Sequence, residues 1–144
     1  MSDSRFVDNG DGTVTDTETT LVWLREDSWQ RESRWVTWDE AQDYAVHLGR
    51  IKFAGYVDWR LPTLEEALSL VSKPASVKDK YGKTVHLDPV FPDGCLASFW
   101  TGEGIGQDGY IINLNTGEKS LLYKSKSGRM AVRPVRGTPV GLDS

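Results

Sequence analysis

The chain has 144 residues, of which 38% are hydrophobic and 26% charged, with a formal net charge of −4. These are the proportions of one globular domain with a real core, and they exclude a disordered chain. One cysteine and two histidines exclude an internal disulfide, a cysteine-based zinc site and a multi-histidine metal centre.

The N-terminus carries Asp3, Arg5 and Asp8 and no apolar segment, so it shows no secretory leader and points to the cytoplasm by default. Phe6-Val7 leads into Asp8-Asn9-Gly10-Asp11-Gly12 and then Thr13 to Asp16. Asn-Gly and Asp-Gly accept positive φ, so this segment predicts a hairpin. It has the flavour of a calcium loop, but Gly10 and Gly12 stand where oxygen ligands should be, and a glycine-rich hairpin is the better account. Leu21-Val22-Trp23-Leu24 is a short continuous apolar run and predicts a buried strand. Residues 25–35 are polar but hold Trp29 and Trp35, and read as a loop.

A helix is predicted from Thr37, with Glu40 completing a capping box. Trp38, Ala41, Ala45 and Leu48 fall on one face, and Gly49 is the expected stop. A connector ends in Asp58-Trp59-Arg60-Leu61-Pro62, and a second helix begins at Thr63 with its own box to Glu66. Residues 72–88 read as a Ser- and Lys-rich loop, and Asp88-Pro89-Val90-Phe91-Pro92 as rigid and extended. Strands are expected at Ser98 to Thr101, Tyr110 to Leu114, Lys119 to Lys124 and Met130 to Val135. No uncharged stretch exceeds nine residues, whereas a membrane helix needs about 20 apolar ones, so no membrane span is expected. The order of strands, helices and strands predicts one α+β domain over residues 1–144, two helices packed on a twisted antiparallel sheet.

Charge is uneven. Residues 1–72 hold 7 Lys+Arg against 14 Asp+Glu, and residues 73–144 hold 10 against 7. Lys119, Lys124, Lys126, Arg129, Arg133 and Arg136 follow one another with no acid between them. Such a strip attracts polyanions; its plainer meaning is solvated strands paired with the acidic half. The overall negative charge argues against a dedicated nucleic-acid binder.

Gly104-Ile105-Gly106-Gln107-Asp108-Gly109 matches G-x-G-x-x-G, but a strand follows it where a dinucleotide site needs a helix. A flexible exposed loop is the expectation. Trp23, Trp38, Trp59 and Trp100 are expected in the core. Trp29 and Trp35 either cover it or offer rings for a sugar or a protein contact. Asp39/Glu40 and Glu65/Glu66 sit at helix starts, where the dipole favours them without catalysis. Cys95 beside Leu96 and Ala97 reads as an inert buried thiol. There is no nucleophile elbow and no Cys–His cue, so no catalytic residue, cofactor or metal is assigned.

Several segments together carry a resemblance. They are Arg5 to Asp16, Leu21 to Leu24, Thr37-Trp38-Asp39-Glu40-Ala41, Asp58 to Thr63, Asp88 to Pro92, Phe99-Trp100-Thr101, and Val132 to Arg136. The chain resembles, from about Arg5 to Gly137, the bacterial domain family named after the C-terminal domain of the Legionella collagen-like adhesin. The resemblance implies a C-type-lectin-like fold with N- and C-terminal strands brought together. It also implies an exported or cell-surface setting, and the namesake adhesin binds sulfated glycans. The chain departs from the family pattern in the loop with Trp29 and Trp35, in the Lys-rich segment 72–87, and at Gly102 to Gly106.

The expected function is a non-catalytic binding module that takes a glycan, a polyanion or a protein on loops and strands of the second half. Its expected ligand-binding residues are Glu103, Gln107, Asp108, Tyr110, Tyr123, Lys124 and Lys126, with Lys78, Lys80 and Lys83 extending a basic rim. Tyrosine offers rigid contact area at low entropic cost, and the lysines supply charge. A homo-oligomer joined through Trp29 and Trp35 is the alternative, and an enzyme of unrecognised type the third.

Overall fold

A computed structural model describes residues 5–141; Asp3, read above as part of the charged N-terminus, lies outside the described residues. The fold is mixed α/β and mostly sheet. Strands β1 (Phe6–Asp8), β2 (Thr13–Asp16) and β3 (Val22–Leu24) precede the helices α1 (Ser28–Glu32), α2 (Trp38–Arg50) and α3 (Leu64–Ser69). Then come β4 (Val77–Lys78), β5 (Thr84–Val85), β6 (Ser98–Ile105), β7 (Asp108–Asn113), β8 (Glu118–Tyr123), β9 (Met130–Ala131) and β10 (Val135–Arg136). One four-stranded sheet has the order β1-β2-β3-β10, another β8-β7-β6-β9, and β4 pairs with β5 alone. The two chain ends thus contribute to the same sheet, with Val135 opposite Trp23.

The short apolar runs are buried on both faces, which explains why they do not alternate with polar residues. Leu21, Trp23, Phe99 and Ile112 enter one core with Ala67 and Leu70 of the α3 segment and with Leu87, Phe91 and Cys95. Val22, Leu24, Trp100 and Ile111 enter a second core with Ala41, Tyr44, Ala45 and Leu48 of α2. Strand residues of opposite parity therefore bind the two helical layers together.

Five expectations need correction. There are three α-helices among the described residues, not two: α1 lies inside the expected loop 25–35 and is held by a capping box between Asp27 and Gln30. Gly49 does not stop α2, which runs on to Arg50; a Cβ there would lie 2.6 Å from the Val57 carbonyl oxygen, so the glycine permits a close approach. The strands form separate sheets rather than one, and β9 runs parallel to β6. The Lys-rich loop contains the β4–β5 hairpin. Finally, Met130 to Val135 is not one strand. It leaves β6 at Ala131 and joins β3 at Val135, and Ser28 holds the crossing through Ser28 N to Val132 O (2.9 Å) and Val132 N to Ser28 Oγ (3.0 Å).

Candidate functional site

The G-x-G-x-x-G segment is not a flexible loop but the end of a hairpin. β6 continues to Ile105, β7 starts at Asp108, and Gly106 has φ +58° in the turn between them. The other two glycines serve packing. A Cβ on Gly104 would lie 2.2 Å from the Asp108 carbonyl oxygen, and one on Gly109 would lie 2.9 Å from the Trp100 ring.

Gln107, Tyr123 and Lys124 meet at this tip. With Thr37, Asp39, Gly106 and Ser125 they line an open hollow of about 420 Å³ beside the start of α2. The hollow is internally bonded. The Tyr123 hydroxyl donates to Gln107 Oε1. Lys124 Nζ donates to the Gly106 carbonyl at 3.2 Å and stands 4.2 Å from the Trp38 ring centre. Trp38 is half-buried, and its indole N–H donates to the Thr101 carbonyl at 3.0 Å. Expected in the core, the Trp38 ring packs against the second core while staying partly exposed at the tip.

The remaining expected residues are dispersed. Asp108 is opposite Tyr123 and Tyr110 opposite Leu121, so these side chains share one face of the ladder. On that face Lys119 Nζ lies 5.6 Å from the Tyr110 ring centre. Ile105, Leu121 and Tyr123 are 61%, 42% and 47% exposed there. Lys126 is exposed just after β8, its backbone N–H donating to the Tyr123 carbonyl at 2.9 Å. Glu103 belongs elsewhere: its Oε2 accepts the backbone N–H of Leu64 at the start of α3.

The basic strip is not one surface. Arg133 is 1% exposed, donates to the carbonyls of Leu24 (3.1 Å) and Arg25, and lies over Phe91. Arg136 pairs with Asp58 at 3.0 Å and covers Tyr56. Lys119, Lys124, Lys126 and Arg129 remain at the surface or half-exposed. Lys80 lies 4.7 Å from the Trp29 ring centre, and Trp29 is half-buried, so that ring is covered; Trp35 is exposed.

Cys95 is fully buried, and burial pushes its thiol pKa up to about 11. Burial likewise raises Asp27, against the opposing pull of Arg133 and of the backbone N–H of Gln30 and Leu96. In the first hairpin, Asp8 Oδ1 accepts Gly10 N at 2.9 Å and Asp11 Oδ1 accepts Thr13 N at 3.1 Å, so these carboxylates brace turns. No group of three or more His, Cys, Asp or Glu among the described residues could hold a metal ion. No helix among them is long and apolar enough to cross a membrane.

A search of curated protein sequences returns no match to the chain. The family model of the Lcl C-terminal domain matches residues 12–136, nearly the span over which the motifs resemble it. On that match the chain belongs to the Lcl C-terminal domain family.

Proposed function

We propose that the chain is a non-catalytic module that binds a polyanionic glycan on its second half. The observation that carries this is the state of the lysines. Seven of the eight lysines fall in residues 73–144, and every salt bridge among the described residues is made by an arginine. Positive charge is left uncompensated where the acidic half does not reach it, and such a field draws polyanions. Two features support binding over catalysis. One carboxylate of each pair at the helix starts is spent on a backbone N–H, Glu40 on Thr37 and Glu66 on Thr63. In the tip hollow Tyr123 is bonded to Gln107 and Lys124 to the Gly106 carbonyl. The C-type-lectin-like reading belongs to this proposal, and its support is that β1 and β10 share one sheet.

The test is immobilised heparin-type polyanion, probed at low and at physiological salt. Lys119→Ala with Lys126→Ala is the better variant, because Lys124 also packs on Trp38. The pair is expected to weaken binding about tenfold and to flatten its salt dependence. Unchanged binding would sink the proposal, and selective capture of an acidic protein instead would replace the glycan.

A second reading, self-assembly, is favoured by the exposed Ile105, Leu121 and Tyr123 on one face of the hairpin, beside the outer edge of β8. Light scattering at high concentration tests it, and a monomer counts against it.

A further inference from the structure

A cleft of about 170 Å³ opens between the β4–β5 turn, the start of β6, the end of β7 and the residue before β9. It lies away from the tip hollow. Its size is below the roughly 300–1,000 Å³ of sites for drug-sized ligands, so it has room for only one small molecule.

Asp79 forms its floor and is only 5% exposed. Its Oδ1 is committed to the turn, accepting Tyr81 N at 2.8 Å and Lys83 N at 2.9 Å. Oδ2 accepts no hydrogen bond among the described residues, and no cation there lies within salt-bridge distance of either oxygen. That oxygen is left open to the cleft in an otherwise buried residue, and an ammonium there answers both its charge and its hydrogen-bonding capacity. The rim has the opposite sign. Lys83 and Arg129 line the cleft, are exposed, and donate no side-chain hydrogen bond among the described residues. Asn113 and Asn115 also line the cleft. Asn113 Oδ1 accepts Asn115 N at 2.8 Å, and Asn115 Nδ2 donates to the Thr84 carbonyl at 2.7 Å. One amide N–H₂ and one amide oxygen remain unspent.

The aromatic rings nearby do not suit a stacked sugar. Arg129 lies 5.1 Å and Lys80 5.6 Å from the Tyr81 ring centre, and Lys80 also covers Trp29. With those rings already engaged by cations, recognition falls to charge. We infer that this cleft binds a free amino acid, its ammonium on Asp79 at the floor and its carboxylate at the Lys83/Arg129 rim. The inference goes beyond the polyanion proposal: it shares Lys83 with the basic rim but is decided by Asp79.

Calorimetric titration of the 144-residue chain with the protein amino acids, their N-acetyl derivatives and glucuronate tests it. At least one amino acid is expected to bind with a Kd of about 0.1–1 mM. N-acetylation of that ligand is expected to weaken binding about tenfold or more, as is Asp79→Asn, and the two losses are expected not to compound. Asp79→Asn keeps an Oδ1 acceptor for the turn, and the N-acetyl comparison needs no variant, so a misfolded mutant does not spare the idea. Lys83→Met with Arg129→Met is expected to cost a similar factor. The inference is overturned if no amino acid binds at about 10 mM, if the N-acetyl form binds equally well, or if glucuronate binds in place of amino acids. Heparin binding should survive Asp79→Asn, which separates failure here from failure of the polyanion proposal.

Discussion

Glu66 shows how much of a residue's role lies outside its local sequence. Its capping box with Thr63 was legible from spacing alone. Its other partners were not, because they come from Arg60 (2.8 and 2.9 Å) and from the backbone of Val140 (2.8 Å), positions that only the folded chain brings together. Burial alone would raise its pKa, but the bonds from Arg60, Thr63 and Val140 outweigh it and hold the carboxyl below the ordinary glutamate range. The lowered folded pKa means that Glu66 stabilises the fold above about pH 4.3, the unfolded value, and that this stability is lost as pH falls through the folded value. Glu66→Gln is expected to cost about 2–4 kcal/mol in urea denaturation at pH 7 and to flatten the acid limb of the stability curve. A loss below about 0.5 kcal/mol, the scale of an ordinary surface change, would contradict that assignment. Arg133 teaches the converse. Its sequence neighbours made it look like surface charge, yet it is buried over Phe91 with its guanidinium on two carbonyls.

At the scale of elements, helix starts were read well because capping is a local exchange of hydrogen bonds. The same exchange at Asp27 and Gln30 was equally present, but five residues of helix leave no periodic stripe to go with it. Strand ends were read less well where glycine intervened. Gly104 and Gly109 look like loop residues, yet their missing side chains let β6, β7 and the Trp100 ring approach each other. Gly49 is the sharpest case. Helix propensity alone favours Gly49→Ala by about 1 kcal/mol. The 2.6 Å approach of the Val57 carbonyl opposes it, and overpacking costs about 1–3 kcal/mol. A lower melting temperature for Gly49→Ala is therefore expected, and a higher one would show that the Val57 segment yields freely.

For the molecule as a whole, the mixture of helix and sheet was legible, while the partition into separate sheets was not. Sequence order says nothing about which strand crosses between sheets, and the crossing here depends on Ser28 and Arg133. The expected site residues are scattered by place, because local sequence does not say which strands meet: Gln107, Tyr123 and Lys124 converge, whereas Glu103 is drawn to α3. The crossing segment makes a prediction at this scale. A chain ending at Arg129 lacks both β9 and β10, and it is expected to lose its cooperative thermal transition; a retained sigmoidal melt would contradict the picture. Trp23 and its partner Val135 are 112 residues apart. At about 5–20 residues per second, synthesis separates them by roughly 6–22 s. Through that interval Leu21 to Leu24 has no β10 beside it and is apolar on both sides. Non-local pairing of this kind folds slowly and invites aggregation, so the newborn chain carries an open, sticky strand until β10 arrives.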